Sequence, residues 1–108
     1  MNDIVSSDFT VPADHPSLAG HFPGQPVVPA VVLLNAVLAA IQKQAAFVLQ
    51  SIPAAKFLQP VFPDERIELR IQFTSLEPAK VRASFQGMRA SSMAFEGSFI
   101  VSTPGSVP

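Results

Sequence analysis

Two side chains in one short stretch could do chemistry together. In His21-Phe22-Pro23-Gly24-Gln25-Pro26-Val27-Val28-Pro29 a histidine sits in a proline-rich loop. Fourteen positions after it, Asn35 is the one polar group in the first turns of the apolar run that begins at Ala30. An imidazole changes charge near neutral pH, so His21 can take up a proton there. A carboxamide donates and accepts hydrogen bonds but is no general acid, so Asn35 can hold a water or orient a hydroxyl without protonating it. The residues alone also allow plainer roles. His21 can be a structural histidine bonded to a loop carbonyl. Asn35 can be a buried amide satisfied by backbone or by Gln42, two turns on along the same face. His15 reads as structural or solvated.

The elements that must position these groups follow from the spacing of apolar residues. Residues 4–11 read as a short edge strand. Pro12, Pro16, Pro23, Pro26 and Pro29 fix several φ angles of the next segment, so that loop is stiff. Pro29 suits the first turn of a helix. From Ala30 to about Leu49 the chain has no glycine or proline and is apolar nearly all round at first, which predicts a long helix buried on most sides. Beyond it the period becomes two. Residues 56–62 read as a strand with Pro60 at an edge or bulge. Residues 66–74 alternate without a break, and 76–80 is their turn. Val81, Ala83 and Phe85 share one face of the next strand, with Arg82, Ser84 and Gln86 on the other. A turn near Arg89-Ala90-Ser91 leads to a last strand, with Met93, Phe95, Phe99 and Val101 on one face. One apolar helix followed by antiparallel strands predicts a single α+β domain over residues 1–108, with a curved sheet wrapped around the helix.

Composition narrows the function. The chain has 108 residues, 48% apolar and 14% charged, with a formal net charge of −1. So little charge on so small a domain predicts an apolar interface, hence a dimer or larger oligomer. The absence of a basic run argues against nucleic-acid binding. With no cysteine there is no disulfide scaffold, thiolate metal site or thiol nucleophile. No metal-ligand spacing and no phosphate-cradling glycine loop is present. The apolar run from Val27 to Ile41 is interrupted by Pro29 and Asn35 and is too short for a bilayer span. The start has no basic segment followed by an apolar core. A soluble, cytoplasmic protein is the resulting expectation. Arg66, Arg70, Arg82 and Lys56 read as solvated strand faces. A lesser reading makes one or two of them contacts for an acidic carrier protein or a phosphate. Phe57 and Phe62 read as core in preference to tunnel wall.

The stretch His15-Pro16-Ser17-Leu18-Ala19-Gly20-His21-Phe22-Pro23-Gly24-Gln25-Pro26-Val27-Val28-Pro29 resembles the signature of the 3-hydroxyacyl-(acyl carrier protein) dehydratases, of hotdog fold. Their pattern is roughly H-P-x-x-x-G-H-F-P-G-x-P-x-x-P-G-V, followed by a helix bearing Glu or Asp. Lys56-Phe57-Leu58-Gln59-Pro60-Val61-Phe62-Pro63 resembles their later KF-x-x-PV-x-P segment. In length and content the chain is similar to the dehydratase-like subunits of aryl-polyene pigment pathways.

The resemblance implies reversible β-elimination of water from a 3-hydroxyacyl thioester carried on the phosphopantetheine of an acyl carrier protein, with no other cofactor and no metal. It implies His21 as the base that removes the C2 proton. It puts Ala30, with Val31 and Gly24, at the oxyanion and substrate-binding positions. Asn35 falls where the family has its acid. It also implies a site whose catalytic groups come from opposite subunits of a homodimer or mixed hotdog dimer. Two residues depart from the pattern: Ala30 replaces glycine but keeps an N–H, and Asn35 replaces a carboxylic acid. Two further readings therefore stand beside a working dehydratase. One is a non-catalytic acyl-thioester-binding subunit. The other, ranked lower, is a thioesterase.

Overall fold

A computed structural model describes residues 2–15, 27–77 and 79–103. The element order is β1 (Asn2–Thr10), α1 (Ala30–Gln42), β2 (Val48–Phe57), β3 (Arg66–Glu77), β4 (Lys80–Arg89) and β5 (Ser92–Ser102). The strands form one sheet in the order β1-β3-β4-β5-β2, and all four neighbouring pairs are antiparallel. This is the expected α+β layout of one helix packed on one face of an antiparallel sheet.

Alternation in β3, β4 and β5 decides which face meets the helix. Ile67, Leu69 and Ile71 of β3, Ala83 and Phe85 of β4, and Phe95, Phe99 and Val101 of β5 are buried. Their neighbours Arg66, Arg70, Arg82 and Gln86 are exposed on the opposite face. The helix adds Leu33, Val37, Ala40 and Ile41 to the same core, at the i, i+4, i+7, i+8 spacing of one helical face. Phe85 and Phe99 meet edge to face with centroids 5.1 Å apart, and Phe85 and Phe95 lie 6.2 Å apart.

Two glycines make room for this aromatic column. A Cβ on Gly87 would fall 2.2 Å from the Phe95 ring. At Gly97 it would fall 2.3 Å from the Ala54 carbonyl oxygen and 2.7 Å from the Phe85 ring. A strand backbone cannot swing away as a flexible side chain can, so Gly97→Ala must push β2 off β5. The expected loss is about 1–3 kcal/mol, the usual cost of overpacking. Thermal unfolding reads it as roughly 4–8 °C per kcal/mol for a domain of this size. An unchanged melting temperature would show that β2 does not hold this register in solution.

The structure corrects three expectations. The helix ends at Gln42 instead of near Leu49, and Val48–Phe57 is an edge strand. An apolar run such as Phe47-Val48-Leu49 carries no periodicity that separates helix from strand. Pro53 lies in an irregularity of β2, where the register to β5 shifts between Ser51 and Ala54. That is where an edge strand tolerates proline. Second, residues 58–62 are irregular, not strand. Third, the helix buries one face only within this chain: Val31 is 61% exposed, and Asn35 and Ala39 are exposed.

Candidate functional site

The helix begins without a cap. Pro29 stands at the N-cap position and offers no side-chain hydrogen bond, and the first turn contains no acidic residue. The Pro29 carbonyl accepts from the Val32 N–H (3.0 Å) and the Leu33 N–H (3.3 Å). The Ala30 and Val31 N–H groups have no acceptor among the described residues. Two orphan donors at the positive end of a helix dipole favour a developing negative charge. The first of them, Ala30, lines an apolar cavity of about 240 Å³ together with Val27, Val28, Leu33 and residues 57–61. The Val28 N–H donates to the Val61 carbonyl (2.8 Å), which ties the approach to the helix onto the wall of that cavity.

Asn35 faces elsewhere. It lines a groove of about 390 Å³ between β1 and α1, together with His15, Asp8, Thr10 and Lys43. Five residues at about 100° each place the side chains of positions 30 and 35 roughly 140° apart around the helix, so they open on different sides. The buried-amide role of Asn35 is not what the structure shows. Asn35 is exposed, and Gln42 is committed to another contact, its Nε2 donating to the Phe47 carbonyl at 3.1 Å. The groove carries charge of both signs. Asp8 accepts two hydrogen bonds from Arg66 (3.0 and 2.7 Å). That bonding, with the carboxylate charge behind it, raises the Arg66 pKa further above its ordinary value.

The structure therefore places Ala30 and Val31 at the helix start and Asn35 on a separate side. His21 and Gly24 lie outside the described residues. Phe57 and Phe62, read as core, are 42% and 40% exposed. Phe57 lines the helix-start cavity, and Phe62 lies under the Arg89 guanidinium. Among the described residues no group of His, Asp or Glu side chains could hold a metal ion, and no helix is long and apolar enough to cross a membrane.

Sequence reasoning missed a polar cluster behind that wall. Arg89, read as a turn residue, ends β4 with its side chain 27% exposed. It donates from Nη1 to Gln59 Oε1 (3.1 Å) and from Nη2 to Glu65 Oε1 (2.9 Å) and the Pro60 carbonyl. Its Nε lies 2.8 Å from Glu65 Oε2, but the N–H is not directed at that oxygen, so this contact is ionic only. The cue available in sequence was the pair of opposite charges at Glu65 and Arg89, flanking the ends of adjacent strands.

Comparison with known proteins agrees with this layout. Residues 1–97 match the family model described as ApeI-like, ApeI dehydratase. The chain is 32% identical over 108 aligned residues to a 3-hydroxyacyl-[acyl-carrier-protein] dehydratase FabZ of Chlamydia trachomatis serovar L2, covering 90% of this chain and 66% of the relative. It is 35% identical over 81 residues to the FabZ of Anaeromyxobacter sp. strain K, covering 64% of this chain and 52% of that one. The chain thus spans about half to two thirds of the length of these relatives. Among solved structures, the dehydratase heterocomplex ApeI:P from Xenorhabdus doucetiae superposes with a TM-score of 0.73 at 19% identity, covering 94% of each chain. The (R)-hydratase from A. caviae superposes with a TM-score of 0.80 at 13% identity, covering 95% of this chain and 96% of that one. These likenesses show a shared hotdog fold. With the signature around His21 and the sheet that wraps α1, the match over residues 1–97 means that this chain belongs to the ApeI-like dehydratase family.

Proposed function

We propose that this chain is a dehydratase-type hotdog subunit acting on 3-hydroxyacyl thioesters carried by an acyl carrier protein. The observation that carries the reading is the uncapped helix start, where Ala30 lines an apolar cavity and the Ala30 and Val31 N–H groups have no acceptor among the described residues, in a chain of this family. His21 takes the C2 proton. The electron pair left behind moves into the thioester carbonyl, whose oxygen becomes negative against the Ala30 and Val31 N–H groups. That pair then returns to form the C2–C3 double bond as the C3–O bond breaks, and the hydroxyl leaves as water once it gains a proton. The acyl group arrives on phosphopantetheine and the reaction needs no further cofactor, as fits a cytoplasmic enzyme of acyl-chain synthesis, with aryl-polyene pathways as its closest setting.

Asn35 cannot supply the last proton. Within one chain it also faces away from the cavity at the helix start. Both facts support a site shared between two subunits, in which a carboxylic acid from a different hotdog chain completes the set. The exposed Val31 of the helix and Val48 and Ile52 of edge strand β2 provide the apolar surface for such pairing. The second reading, a non-catalytic thioester-binding subunit, rests on Asn35 alone.

The test is turnover of 3-hydroxyacyl thioesters by the native chain and by His21→Ala, each alone and mixed with a carboxylate-bearing hotdog subunit. The expected result is slow dehydration by the native chain alone, faster in the mixture, with His21→Ala lowering both by about 10²–10⁴-fold. Equal background rates in all four samples would overturn the catalytic reading and leave the binding one. Release of free thiol in place of an enoyl product would mean a thioesterase.

A further inference from the structure

The Arg89 cluster lies outside the residues assigned to the reaction, yet its contacts converge on the segment that walls the helix-start cavity. Residues 58–65 leave the sheet after β2. The Leu58 and Gln59 N–H groups both donate to the Ala94 carbonyl (2.8 and 3.1 Å). Beyond that point Arg89 gathers three parts of the segment. The guanidinium bonds the side chain of Gln59 and the carbonyl of Pro60, and it stacks over Phe62 at 5.8 Å from the ring centroid. Glu65 closes the arrangement from the other side. One of its oxygens accepts from both Arg89 and the Phe62 N–H, the latter at 2.7 Å. A charged fork with three acceptors on one short segment fixes that segment far better than a single bond.

The same segment carries tethers to two other parts of the chain. Val61, next to Pro60, accepts the Val28 N–H, two residues before the Ala30 amide. Asp64 holds a left-handed backbone conformation at φ 66°, donates its N–H to the Val11 carbonyl (2.7 Å) and accepts from the Ala13 N–H with Oδ1 (3.3 Å). A shift of residues 58–65 therefore passes by one hydrogen bond to the helix start and by two to the end of β1.

We propose that Arg89, through its ion pair with Glu65, is a positioning residue. It fixes the 58–65 segment and thereby the placement of the Ala30 and Val31 amides beside the acyl cavity. The inference rests on the reading of those amides as oxyanion donors, and its structural half can be measured without turnover.

The experiment compares the native chain with Arg89→Met, which keeps length but loses charge and donors, and Arg89→Lys, which keeps charge but cannot fork. Amide hydrogen exchange at Val28 is the first readout, with Phe85 and Phe99 as core references. Loss of a charge-assisted bond predicts roughly tenfold or more faster exchange at Val28 in Arg89→Met, and core amides unchanged. The second readout is steady-state kinetics with a 3-hydroxyacyl-pantetheine thioester. A displacement near 1 Å predicts a kcat lower by about 10²-fold with KM altered much less. Arg89→Lys falls between on both readouts and serves if the methionine variant does not fold.

Unchanged exchange at Val28 overturns the proposal. So does a loss of protection shared equally by Val28 and the core, since the ion pair would then be a general stabiliser. Selective loosening at Val28 with kcat intact in an active enzyme overturns the catalytic half. A native chain that shows no turnover while Val28 responds selectively counts against the dehydratase reading, and leaves the structural role of Arg89 established.

Discussion

Asn35→Glu raises the dehydration rate of the chain alone by roughly 10²–10⁴-fold, the range a positioned general acid contributes. The native residue can align the departing hydroxyl but not protonate it, so the proton must come from solvent or from another chain. A carboxyl side chain at the same helical position removes that deficit. The substitution is mild for the fold, because position 35 is exposed within the chain and Glu is a better helix former than Asn. Initial rates of enoyl-thioester formation check it, with His21→Ala in the Asn35→Glu background as control. A rate unchanged by Asn35→Glu would mean that position 35 does not reach the reacting carbons in any assembly of this chain.

Charging the free edge has the second large effect. Val48→Lys together with Ile52→Lys puts two ammonium groups on β2, where the apolar side chains are 55% and 42% exposed in the single chain. Neither residue belongs to the buried core, so circular dichroism stays native. An assembly held together through this edge dissociates, since each buried, unpaired ammonium costs several kcal/mol. A site that draws its groups from two subunits then loses them together, and turnover falls by at least about 10²-fold. Light scattering of the variant reports the mass directly. A native assembly that keeps its mass after both substitutions would place the interface elsewhere.

Different parts of the molecule were legible to different degrees. Residues 66–74 of β3 and 81–86 of β4 could be read residue by residue, because alternation is strict there. The expected turn over 76–80 is shorter, with β3 running to Glu77 and β4 starting at Lys80, and β5 buries Ala94 and Ser98 beside Phe95 and Phe99. The helix start was legible for a different reason: a proline is excluded from a helix interior, and Pro29 stands at the N-cap immediately before Ala30. The helix end was not. Phe47-Val48-Leu49 is apolar in a way that suits either helix or strand, and the arbiter is pairing with Val101 and Ser102, some fifty residues later. Asn35 was marked as the position that matters, but its neighbours were not. Its side of the helix is decided by which residues the sheet covers, a tertiary fact. The Arg89–Glu65 pair joins positions 24 apart in sequence across a strand end, so its opposite charges become a cue only once β3 and β4 are known to be neighbours.

The bare start of α1 also bears on how this protein could be made more robust. A serine, threonine, aspartate or asparagine at an N-cap contributes about 0.5–2 kcal/mol over a residue that cannot cap. Position 29 forgoes that contribution, and the second helical amide, Val31, stays open. Heat resistance and chemistry therefore compete for one hydrogen atom, since a capping side chain accepts from the second or third helical N–H and leaves that of Ala30 untouched. Selection for thermal survival alone would install a capping side chain at residue 29 and, by occupying the Val31 donor, weaken the oxyanion site. A screen that scores melting temperature without turnover would rank such a loss among its best results.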